Sequence, residues 1–126
     1  MRKLIVVLIA ALSCVLAQAP AGTYIGTWSG AASGEFRIVL SQGEGSAWKA
    51  EVVFTLGNDE VKTNMKSVKV EGNKINVVYQ YDLQGTTLQS NVVGELKGNT
   101  FQGTYKATSV ADGSDVDEGT WKASAK

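Results

Sequence analysis

The chain has 126 residues, with twelve basic and twelve acidic side chains, one cysteine and no histidine. Its cysteine, Cys14, lies in an N-terminal segment unlike the rest, so the remainder has neither a thiol nor a disulfide. This excludes Ser-His and Cys-His nucleophilic catalysis, most zinc sites and a disulfide framework, and leaves a hydrophobic core to hold the domain together.

The first element, residues 1–19, reads as a signal peptide. Arg2 and Lys3 precede an unbroken apolar run from Leu4 to Leu12, and small residues follow. That is the charged, apolar, small-residue order of an exported chain. The run is too short for a membrane span, which needs about 20 apolar residues. Ala17-Gln18-Ala19 suits cleavage after Ala19 but leaves Pro20 beyond the cut, whereas cleavage after Ala17 avoids the proline. Ala11-Leu12-Ser13-Cys14 offers a third route, in which Cys14 carries a lipid anchor. The expected mature protein, 20–126, is one domain, secreted or periplasmic. Losing Arg2 and Lys3 from the twelve basic residues, with all twelve acids kept, takes a neutral chain to a charge of −2. With its lysines dispersed, such a chain has no electrostatic footprint for nucleic acid.

After the signal, apolar residues recur at every second position, the period of a half-buried strand. Phe36, Ile38 and Leu40 form one such run, and Trp48, Ala50, Val52, Phe54 and Leu56 the next. Ile75, Val77, Tyr79, Tyr81 and Leu83 follow, then Leu88, Ser90, Val92, Gly94 and Leu96. Phe101, Gly103, Tyr105 and Ala107 precede a last run with Trp121 and Ala123. No helical spacing interrupts them. Gly72-Asn73 and Gly98-Asn99 sit between runs and suit the positive φ of tight hairpin turns. Val61, Thr63 and Met65 are out of phase with Val68 and Val70, which predicts a bulge near Lys66 or Ser67.

Short connections favour neighbouring antiparallel strands, so the expected fold is all-β: an up-and-down meander of about eight strands. Its apolar face must be closed into a small barrel, wholly or in part, or folded over as a sandwich. Aromatic placement favours the barrel. Closure would pair first and last strands and bring Gly26-Thr27-Trp28 beside Gly119-Thr120-Trp121. Glycines 26, 94, 103 and 119 share the inward phase, either to let strands bend or to leave room for a ligand.

The opening Tyr24-Ile25-Gly26-Thr27-Trp28 resembles the Gly-x-Trp signature that begins lipocalins and related calycin barrels. The resemblance implies a cup-shaped antiparallel barrel holding a small apolar ligand, with Trp28 on the barrel floor.

The remaining chemistry is sparse. Glu35, Glu51, Asp82 and Glu95 fall on the polar phase of their strands, as solvated cross-strand partners rather than catalytic pairs. The acidic stretch Asp112–Glu118 lacks calcium-loop spacing and reads as a solvated turn. No phosphate loop is present, because no helix follows a strand. The polar outer phase, with Lys49, Glu51, Gln80 and Glu95, is unsuited to lipid. The expectation is therefore a non-enzymatic binding protein without cofactor or metal. Trp28, Trp48, Phe54, Tyr79, Tyr81, Tyr105 and Trp121 are the candidate ligand-binding residues. A protein-interaction module, such as an inhibitor of another exported protein, is the alternative.

Overall fold

Alternation in the sequence becomes alternation of burial. The computed structural model describes residues 20–45 and 47–126; the expected signal peptide, its cleavage points and Cys14 lie outside them. The described residues form nine strands and no helix. These are β1 (Gly22–Ser29), β2 (Ser33–Gln42), β3 (Trp48–Leu56), β4 (Asp59–Lys62), β5 (Asn64–Glu71), β6 (Lys74–Leu83), β7 (Thr86–Lys97), β8 (Thr100–Ser109) and β9 (Asp115–Ala125). All pairings are antiparallel, and the order β4-β3-β2-β1-β9-β8-β7-β6-β5 is a meander with its ends joined through β1 and β9. As closure requires, Gly26 faces Ala123 and Trp28 faces Trp121.

The two outer strands of that order, β4 and β5, are consecutive in the chain with only Thr63 between them. Asp59–Glu71 is thus one bent segment that changes partner midway. Lys62 still pairs with Val53 of β3, while Asn64 pairs with Gln80 of β6. At the switch the Thr63 hydroxyl donates to the Val52 carbonyl at 2.7 Å. The barrel is therefore nearly closed. Below Thr63 the seam lies between β3 and β5, and above it between β4 and the Tyr81–Leu83 end of β6. The partner switch makes two strands of one run. The pairing slips between Met65 and Ser67, and this bulge turns Met65, Val68 and Val70 all toward the core despite their opposite phases.

The core is closed in the middle of the barrel and toward the end away from the β1–β2 turn. Ile38, Val77 and Phe101 have no exposed surface. Tyr24 meets Phe101 edge-on at 4.7 Å between centroids, and Phe101 stacks on Trp121 at 6.0 Å. Such pairs add about 0.5–1.5 kcal/mol each beyond the area they bury. The inward glycines serve packing and curvature. A side chain at Gly103 would run into the Val93 carbonyl and the Gly94 Cα, and the space over Gly94 is taken by the Trp121 ring. The Trp121 indole N–H then donates to the Val93 carbonyl at 3.0 Å.

Candidate ligand-binding site

At the other end of the barrel the core is not filled. A cavity of about 190 Å³ opens between the ends of the strands. Its mouth is framed by Ala31 and Ala32 of the β1–β2 turn, Leu56, Leu83 and Val116. Five rings form a continuous belt around it. Tyr105 meets Trp28 edge-on at 5.9 Å, and Trp28 meets Phe54 at 5.9 Å. Phe54 meets Tyr81 at 5.0 Å, and Tyr81 lies 6.1 Å from Tyr79. Trp121 and Phe36, in contact at 5.1 Å, stand beside them on the lining.

The strands hold these rings by simple means. Trp28 is fixed by its indole N–H, which donates to the Thr55 carbonyl at 3.0 Å across β2. It stands on the cavity wall at the end of β1 next to the mouth, not on the barrel floor that the Gly-x-Trp resemblance implied. Tyr79, Tyr81 and Tyr105 arrive by the two-residue period of β6 and β8. Trp48 is placed elsewhere. It begins β3, opposite Gln42, beside the lower seam with Met65 and Val68. Trp48 and Phe54 share a face, but six residues of strand put about 20 Å between them. Of the seven candidate residues, the structure therefore gathers Trp28, Phe54, Tyr79, Tyr81, Tyr105 and Trp121, and leaves Trp48 out.

Polar groups enter the cavity at two places. Ser90 is buried at 3 % exposure, opposite Tyr79 on the neighbouring strand. Asp117 lies between Tyr105 and the β1–β2 turn. The Tyr105 hydroxyl donates to its Oδ2 at 2.8 Å, and the Ala31 N–H donates to its Oδ1 at 3.0 Å. Gly30 leaves the space they need, since a side chain there would run into the Tyr105 hydroxyl and the carboxylate. Asp117 falls in the stretch expected to be a solvated acidic turn. The turn itself is held by Asp112, whose Oδ1 accepts from the Ser114 N–H at 3.0 Å and the Ser114 hydroxyl at 2.7 Å. Those hydrogen bonds keep its carboxyl below the usual carboxylate range. Asp117 belongs instead to β9 and faces inward, as do Gly119 and Trp121. Counting back by twos from Trp121 would have found it.

Burial pushes the phenols of all four tyrosines above their ordinary value of 10.0. At Tyr105 the hydrogen bond to Asp117 and the charge of that carboxylate add to the effect of burial. At Tyr79 and Tyr81 the Ser90 hydroxyl partly offsets it. The linkage has a definite sign. Above about pH 10 the unfolded chain loses phenolic protons that the folded chain retains, so folding stability falls as pH rises. Urea midpoints are expected to hold steady up to about pH 10 and then drop toward the raised folded values. A midpoint that stays level while phenolate absorbance grows in the folded protein would contradict this.

Among the described residues no cluster of three or more histidines, cysteines or carboxylates is placed to hold a metal ion. Nor is any helix among them long and apolar enough to cross a membrane. No protein-family model, curated protein or solved structure matches the chain.

Proposed function

We propose that this is an exported binding protein, calycin-like in plan, whose barrel holds one small aromatic or apolar molecule at its mouth. The observation that carries the reading is the cavity itself: about 190 Å³ of space under a belt of five aromatic rings. A cavity of about 150 Å³ is enough to take up benzene, whereas pockets for drug-sized ligands begin near 300 Å³. The volume therefore suits one ring, or the ring-bearing end of a longer molecule that extends through the mouth. A polar handle on the ligand would find Ser90 or Asp117.

Native mass spectrometry of the mature protein from its exporting host tests this. An added mass that disappears on denaturation, or uptake of a neutral aromatic such as toluene, is the expected result. Ala32→Trp, which plugs the mouth without touching the core, is expected to abolish the uptake. A bare polypeptide that takes up no aromatic probe would overturn the ligand reading. Function would then move to the rim, where Val110 and Val116 are 48 % and 49 % exposed, and a protein partner would be sought there. The same spectrum tests export. A chain beginning at Gln18 or Pro20 indicates signal cleavage, and a lipid mass on Cys14 indicates anchoring.

A further inference from the structure

Resting on that reading of the cavity, the geometry points to a ligand class: a small organic cation, an amine or ammonium carried on an apolar or aromatic group. Two independent features of the site favour positive charge and oppose negative charge. The first is the lining. It contains one carboxylate, Asp117, and no lysine or arginine. The nearby Lys106 points outward and pairs with Asp115 at 3.5 Å. A fatty acid or other anion would thus bury its charge beside Asp117 with no basic group to receive it, which is costly.

The second feature is the aromatic belt. Ring faces carry negative electrostatic potential and attract ammonium groups, most strongly where water is excluded. Trp28, Phe54, Tyr81 and Tyr105 surround the same space, and the carboxylate stands at its edge. Tyr105 donates its hydroxyl to Asp117, and Tyr81 lines the same cavity, so the carboxylate and both rings border one space. Asp117 also has capacity to spare. Each carboxylate oxygen accepts one hydrogen bond, from Tyr105 or Ala31, while a carboxylate offers about four acceptor positions. Those two bonds aim the group without neutralising it, and no basic side chain among the described residues pairs with it.

A matched series separates charge from shape. Benzylamine, benzyl alcohol and benzoate share a ring and differ in charge, being cationic, neutral and anionic at neutral pH. Calorimetric titration of the mature protein is expected to rank them in that order, with benzylamine at least about tenfold tighter than the alcohol (~1.4 kcal/mol). Asp117→Asn keeps the shape of the side chain but removes its charge, the amide oxygen accepting from Ala31 and the amide NH2 donating to the Tyr105 hydroxyl. It is expected to bring benzylamine down to the level of the alcohol. Glu118→Gln removes a neighbouring charge on the outer face and is expected to change neither. If the alcohol binds and benzylamine binds no tighter, or if Asp117→Asn leaves the amine unaffected, the cation preference is overturned and the apolar site survives. If none of the three binds and toluene is also refused, the cavity reading falls with it.

Discussion

Truncating Phe101 to alanine is expected to lower folding stability by about 3–5 kcal/mol, the range for removing a buried ring. Phe101 has no exposed surface and lies between Tyr24, at 4.7 Å, and Trp121, at 6.0 Å. Its loss removes both ring contacts and leaves a void in the packed half of the barrel. The neighbours cannot readily collapse into it. Phe101 pairs with Leu96 on one side and Ala123 on the other, so its backbone is fixed by two ladders. For a domain of this size such a loss is a large part of the total stability, which is commonly 5–15 kcal/mol. Urea unfolding followed by tryptophan fluorescence measures it. A loss below about 1 kcal/mol would mean that the packed end is looser than the structure shows. Leu83→Ala, at the half-exposed mouth, is the contrasting substitution and is expected to cost far less.

Gly103→Ala is expected to be a severely damaging one-carbon addition, at about 3 kcal/mol or more, the upper end of overpacking effects. The added methyl would meet only backbone: the Val93 carbonyl and the Cα of Gly94, directly across the β7–β8 ladder. No rotamer change relieves a clash with backbone, so the ladder itself must open. Gly94→Ala differs in kind, because there the methyl meets the Trp121 ring, a side chain, before any backbone. It is expected to cost less and to disturb tryptophan fluorescence more. Thermal melts of the two variants, read by circular dichroism and by fluorescence, compare them directly. Equal losses, or a Gly103→Ala protein that melts like the parent, would show that the close strand approach at Gly103 is not required.

Phe101 falls on the packed end, while the proposed ligand occupies the other, and Gly103, paired with Trp121, lies between them. The division follows from where large side chains meet. At the level of Phe101, residues from β1, β8 and β9 interlock. At the level of Ser90 and the Ala31–Ala32 turn the lining residues between the rings are small, and the rings meet edge to face. Filling the barrel at that height would take side chains that the sequence does not supply.

Much of this architecture is legible in the sequence, because a strand's side chains alternate strictly and a half-buried sheet must therefore write its inner face as every second residue. Phe36, Ile38 and Leu40, or Ile75, Val77 and Tyr79, announce their burial in this way, and Gly72-Asn73 and Gly98-Asn99 announce their turns. The pairing of Trp28 with Trp121 follows once the ends are joined. Period alone cannot say how high along the barrel a residue sits, since height depends on register between distant strands. That is why Trp48 shares the phase of Phe54 yet lies away from the cavity, and why Trp28 stands on its wall. Nor could composition place Asp117. Its neighbours Asp115 and Glu118 are exposed, and only the packing of the β1–β2 turn against Tyr105 holds its carboxylate at the cavity. The change of partner at Thr63 likewise depends on β3 and β6 reaching opposite sides of one segment, a long-range condition that only the closed sheet imposes.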